Sequence, residues 1–398
     1  MFAALALVLA QSIEWTRVDI DPKFRSEGVA VGDFNNDGKL DVANGEAWYE
    51  APSWKPHALR EGGMKEFEPA TQYSRRFALW SHDVNEDDRP DLICIDFPGT
   101  PCYWLENPAS SAGVWWRKHE LDIDACNESP IFDDCVFDGH APMDPWLVLA
   151  SEKQHAIGFM NYSPPFRGGK SWKFWAGCSD PSGKSSARFS HGLGIGDVDG
   201  DGAPDVFTPH GAWILHPGFE TCDWQLVEWQ LRADAKSSPD ETARIFAADL
   251  DGDRDIDLMA SSAHGAGVWW YERAGTSAEP TFTRHTIDDT FSQSHALCYE
   301  DIDGDGERDL ITGKRWYAHG PDGDVDAKAE PVVVWYQVKK GSKSAPKFTR
   351  HEIEVARGTG IGTQFQVIDV DGDQHADIVL SNKRGTHLLL QRAPDAKK

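Results

Sequence analysis

Asp197-Val-Asp199-Gly-Asp201-Gly-Ala203-Pro-Asp205 sets carboxylates at the first, third, fifth and ninth positions of one short loop. The Ala203 carbonyl can add an oxygen at the seventh, and Gly200 and Gly202 permit the tight turn. So many carboxylates in so short a loop suit a hard cation, and Ca²⁺ takes about six to eight oxygens in flexible geometry. The same spacing returns at Asp33, Asn35, Asp37 and Asp41, and at Asp83, Asn85, Asp87 and Asp91. It returns again at Asp249, Asp251, Asp253 and Asp257, at Asp301, Asp303, Asp305 and Asp309, and at Asp369, Asp371, Asp373 and Asp377. A degenerate unit, roughly Phe132 to Ala150, holds Asp134, Asp138 and Asp144 without the ligand spacing. Repetition at this period indicates an array of similar units, here seven, with one loop lost.

Each unit reads alike. An apolar strand enters the loop (GLGIGD, RIFAAD, ALCYED, FQVID) and a second leaves it (DVFTP, DLMAS, DLITG, DIVLS). A third carries paired aromatics near Trp48, Trp104, Trp270 and Trp335. A short fourth has an aromatic two residues before a basic-His pair, ending at His119, His285 and His351. Four short strands per unit, with Gly and Asp at the turns, predict propeller blades. The last unit supplies three strands, and Ile13–Ile20 (IEWTRVDI) reads as an orphan fourth that completes it and removes an open sheet edge. The expected fold is all-β: one seven-bladed β-propeller over residues 11–398, with four antiparallel strands per blade and the ring closed by the N-terminal strand.

The loops and the lead-in GxxxGD resemble FG-GAP/VCBS repeats, as in integrin alpha-chain propellers. The resemblance implies this fold and bound calcium, and leaves function open because propellers host adhesion, binding and catalysis alike.

Composition narrows the field. A formal charge of −26 over 398 residues excludes a nucleic-acid partner, which needs a cationic footprint. Residues 1–10, MFAALALVLA, read as a signal peptide cleaved before Gln11, and no other run reaches the roughly 18 apolar residues of a membrane span. Loops of this kind fit an exported protein, because weak sites fill at extracellular calcium on the order of 10⁻³ M. The expected location is therefore secreted or periplasmic. Of seven cysteines, Cys94 with Cys102 and Cys126 with Cys135 are spaced for disulfides, Cys178 with Cys222 less so, and Cys298 reads as a buried thiol.

Each loop joins the innermost strand to the second. The start of the first strand and the end of the second therefore meet at the opposite face, around the channel mouth. Strand-one starts there offer Arg76, His191, His295, Thr363 and Gln364. Strand-two ends offer Glu46, Asp96, His155, His210, His264, Lys314, Arg315, Lys383 and Arg384. His119, His285 and His351 fall on outer strands and read as structural. Imidazoles suit proton abstraction, Lys or Arg can stabilise an enolate oxygen, and facing His residues can bind a second divalent metal.

The phrases SHGLGIGDVDGDG, TPHGAW, SQSHAL and TGKRWYAHG resemble a set shared by secreted VCBS proteins, and are similar to the propeller of the aldos-2-ulose dehydratases, whose further domains this chain lacks. That resemblance implies sugar dehydration. The expectation is a calcium-binding lyase or dehydratase on a neutral or oxidised sugar. His191 and His295 act as base or metal ligand, His210, His264 and His155 assist, and Lys314 and Arg315 clamp. The alternative is a non-enzymatic propeller that binds a glycan or a protein.

Overall fold

The computed structural model describes residues 13–108, 114–133, 145–161, 172–214 and 224–392. Residues 1–10, read above as a signal peptide, and Asp134, Asp138, Asp144, Cys135 and Cys222 lie outside these residues. Among the described residues the chain forms seven four-stranded antiparallel sheets and no α-helix. In each of the first six sheets the strands follow chain order. Blade 1, for example, runs Val29–Gly32, Asp41–Asn44, Ala47–Glu50 and Lys55–Ala58. The seventh blade takes Phe365–Ile368, Asp377–Asn382 and Gly385–Arg392, and its outer strand is Glu14–Asp21. The register runs from Glu14 opposite Arg392 to Asp21 opposite Thr386.

The apolar core is distributed around the ring rather than gathered in one place. Strand side chains alternate between the two faces of a sheet, so each blade offers one apolar face to either neighbour. Trp269 faces a cluster with Phe207 and Ile214 of blade 4, while Trp270 faces one with Leu310 and Tyr336 of blade 6. Seven such clusters join neighbouring blades, and the last puts Val379 and Leu388 of blade 7 against Val29 and Val42 of blade 1.

The same alternation corrects one expectation. Cys94 and Cys102 are free, buried thiols. Cys94 points into the interface between blades 1 and 2 and Cys102 into that between blades 2 and 3, so a sheet separates the sulfurs. Burial pushes both thiols up, Cys94 to about 12 and Cys102 beyond the ordinary range. Cys298 is a free thiol as expected, packed at the margin of the cluster between blades 6 and 7.

The outer-strand histidines are structural. His119, His285 and His351 stack on Trp104, Trp270 and Trp335, with centroids 4.1, 4.4 and 4.1 Å apart. His57 does the same on Trp48. In three blades the ring also meets a Glu of the third strand: Glu50, Glu106 and Glu272, at 2.6–2.8 Å.

Candidate functional site

The six acidic loops share one local geometry. In the opening loop Gly200 and Gly202 take φ of +81° and +91°, which an L side chain adopts at a cost. Asp197 accepts the backbone N–H groups of Gly200, Asp201 and Gly202 and so wraps the loop around its own carboxylate. The ninth residue has a second task. Asp91 accepts the N–H of Val84 in the loop and of Asn107 beyond the third strand, and Asp41, Asp257 and Asp377 repeat the pattern. Burial, helped by the facing carboxylates, raises Asp41, Asp257 and Asp377 to about 6 and Asp91 and Asp309 to about 7.

The donor set fits calcium. Asp301, Asp303 and Asp309 offer oxygens within 4.8 Å of one another, as do Asp197, Asp199 and Asp205.

At the opposite ends of these strands a second cluster forms. Glu128, His191, His264 and His295 each offer one ligand atom, all within 4.8 Å of one another. His191 Nε2 lies 3.0 Å from His264 Nε2, and Glu128 Oε2 lies 3.0 Å from His295 Nε2 and 3.6 Å from His191 Nε2. Four blades contribute. His191 and His295 each sit three residues before the first strand of their blades, Gly194–Gly196 and Cys298–Glu300. Glu128 holds the same place before Ile131–Asp133 in the degenerate blade, and His264 comes from the turn after Asp257–Ser261. Backbone bonds fix the neighbours: Glu128 N–H donates to Ser190 O at 2.9 Å and Phe189 N–H to Cys126 O at 2.8 Å.

Crowding keeps His264 and His295 neutral. Burial, then the charges of His295 and His191, lowers His264 to about 2. Burial and Arg315 lower His295 to about 4, against the pull of Glu128. Burial works against the Glu128 carboxylate, but the two imidazoles outweigh it and hold it well below the usual range. Neutral imidazole nitrogens converging with one carboxylate form a donor set suited to a transition metal.

The cluster opens into a cavity of about 520 Å³. Beside it His319 Nδ1 lies 2.8 Å from Asp324 Oδ1, and His319 N–H donates to Asp324 Oδ2. Asp324 Oδ1 is also 3.6 Å from His264 Nδ1. The lining also holds an aromatic group, with Phe97 at 5.5 Å from Tyr73, 5.5 Å from Phe77 and 5.4 Å from Phe189. His295 lines in addition an axial cavity with Ala78, Ser129 and Phe365 of the inner strands.

Of the sequence candidates, His191, His264, His295 and Arg315 meet here. Arg315 is buried and its fork is taken by Glu27 at 2.7 and 2.8 Å, so it steadies the wall rather than offering free donors. Three candidates go elsewhere. Lys314 is buried beside Asp326 and Glu330 in a separate cavity, because adjacent residues of an extended segment point to opposite sides. His210 stands outside the cluster, its neutral form favoured by burial and by Lys184. His155 is exposed at a turn with φ +50°. Glu128, His319 and Asp324 escaped the sequence reading, although TGKRWYAHG contains His319.

Comparison with known proteins bears on the repeat. Residues 249–312 match the FG-GAP-like repeat. That stretch runs from the acidic loop of blade 5 to the second strand of blade 6. No curated protein matches at a significant level. Among solved structures the chain is similar to a lectin of Agrocybe aegerita that recognises non-reducing terminal N-acetylglucosamine, at 16% identity and a TM-score of 0.43, over 96% of this chain and 86% of that one. It is similar to an exotype rhamnogalacturonan lyase at 12% and 0.45, over 94% and 72%. A putative 6-phosphogluconolactonase from Bacteroides uniformis gives 9% and 0.44, over 89% and 88%.

Proposed function

We propose that this propeller is a secreted, calcium-stabilised carbohydrate lyase or dehydratase working at the mouth cavity. The observation that carries the reading is the convergence of Glu128, His191, His264 and His295 on one point at the cavity floor. These four residues would hold a divalent metal, and the Asp324 carboxylate lies 3.6 Å from His264 Nδ1 on the other side of that ring. Such a metal supplies Lewis acidity toward a keto or hydroxyl oxygen.

The chain itself supplies the proton chemistry. With Nδ1–H donated to Asp324, His319 presents Nε2 as an acceptor, and its side chain is half exposed. A proton beside a carbonyl passes to Nε2, the electron pair forms the new double bond, and the β-substituent leaves with a proton returned from the same imidazole. Asp324 keeps His319 in the tautomer that can do this. The mouth is acidic apart from Arg315, which Glu27 already neutralises, and this favours a neutral or keto sugar over a polyanion.

The test incubates the protein, with calcium and with Zn²⁺ or Mn²⁺ added in turn, with keto-sugars and neutral oligosaccharides. New ultraviolet absorbance from an unsaturated product is expected, lost in His319→Gln by at least about a hundredfold. Binding of the same sugars by the wild type without turnover would move the assignment to a glycan-binding propeller.

A further inference from the structure

The segments before His191 and His295 share one turn. Phe189 and Gln293 stand two residues ahead of these histidines, and both adopt left-handed backbone, with φ of +65° and +58°. Glycine or asparagine takes that conformation readily, whereas a bulky residue there is strained. Gln293 repays the strain inside the fold: it is fully buried, its Nε2 donates to Val325 O at 3.0 Å and its Oε1 accepts Ala318 N–H at 3.2 Å. Phe189 makes no such use of its side chain. Its ring is 42% exposed, against the edge of Phe97, and faces the cavity next to Tyr73, itself 41% exposed.

The same cavity is lined by the polar groups His191, His319, Glu241 and Asp324. An apolar patch sharing one cavity with donors and acceptors matches the mixed character of a pyranose ring, whose C–H face is apolar and whose rim is hydroxylated. The charges favour an uncharged ring, since Glu128, Glu241 and Asp324 line the cavity and Arg315 is spent on Glu27. Lys383 lies over the rings of Tyr73 and Phe24, outside the lining.

We infer that Phe189, with Phe97 and Tyr73, is a stacking platform for the apolar face of an uncharged sugar ring, and that Phe189 is held in strained backbone for this purpose. The inference rests on the reading of the cavity as a carbohydrate site, and deepens it by naming the ring class and the residue that selects it.

The experiment compares wild type with Phe189→Gly and Phe189→Ala, using a panel of neutral methyl glycosides and the matching uronates, followed by calorimetry and ligand-detected NMR. Wild type is expected to bind a member of the neutral panel in preference to its uronate. Both variants should bind it roughly three- to tenfold more weakly, the range expected for one lost ring contact. Phe189→Gly should also melt above Phe189→Ala, because only glycine relieves the left-handed strain. Metal content should be unchanged in both. Undiminished binding by Phe189→Gly overturns the inference, as does preference for uronates or no binding by wild type. A dimer of the wild type that Phe189→Gly dissolves overturns it too, since the ring would then serve self-association. The two readings fail separately: turnover with an unaltered KM in Phe189→Gly sinks the platform alone, and stacking without turnover sinks the lyase alone.

Discussion

Lys314 is fully buried, and burial lowers its amine to about 8 in spite of the pull of Asp326 and Asp324. An unfolded chain holds that proton up to about pH 10.4. At neutral pH the fold must therefore keep a charge it binds more weakly than the unfolded chain does. Between about pH 8 and 10.4 the unfolded chain alone retains the proton, so the penalty fades as pH rises. Lys314→Met should raise Tm at pH 7 and raise it less at pH 10. Equal gains at both values would show that packing, not the charge, is responsible.

Residues also mark where the sequence was readable. His191 and His295 stood out because two blades repeat the phrase Ser-His before an apolar strand. Glu128 occupies the same register, three residues ahead of its strand, but its blade lost the acidic loop that would have aligned it. His319 and Asp324 lie in the long connection between Asp309–Gly313 and Val333–Lys339, where no repeat period applies. Cys94 and Cys102 looked adjacent because a hairpin joins them. Their opposite faces follow from the pleat, since Cys94 is paired with Tyr103 and the next residue along a strand points the other way.

Among elements, the acidic loop does two jobs that are separable by mutation. Its first positions offer oxygens to the proposed cation, and its ninth pins the loop and the third strand through two backbone N–H groups. Asp91→Ala leaves both N–H groups of Val84 and Asn107 without acceptors, at about 1–3 kcal/mol each if buried. It should therefore destabilise strongly even when calcium is absent, whereas Asp87→Ala, which frees only the part-buried contacts to Arg89, should lose less there. Thermal melts with calcium and with chelator separate the two. The wild type is expected to melt lower in chelator, because a ligand bound only by the folded state stabilises it by mass action. If Asp87→Ala and Asp91→Ala lose stability equally in chelator, the pinning role fails. The loops were fully legible in sequence because their chemistry is local; the mouth, assembled from four blades, was only partly so.

For the whole molecule, stability resides in interfaces between blades, and each blade depends on its neighbours. Deleting residues 13–21 would strip the outer strand from blade 7 and expose the edge of Gly385–Arg392, a ready template for pairing with another chain. The truncated protein is expected to aggregate on size-exclusion chromatography and to melt at lower temperature. A monomer with an unchanged melt would show that the strand is dispensable. His387 and Asp19 add a polar contact between the same strands, at 2.8 Å.

That pairing has a consequence for how the protein is made. Trp15, Thr16 and Arg17 leave the ribosome before any blade, yet their partners Gln391, Leu390 and Leu389 follow all six of the other blades. Until blade 7 is made the first strand has no sheet to join, while blades 1 to 6 can form in order behind it from strands adjacent in sequence. Its alternation of exposed and half-buried positions, with charges at Glu14, Arg17, Asp19 and Asp21, keeps this waiting segment soluble. A strand made ahead of all seven blades' inner strands is thus placed after them.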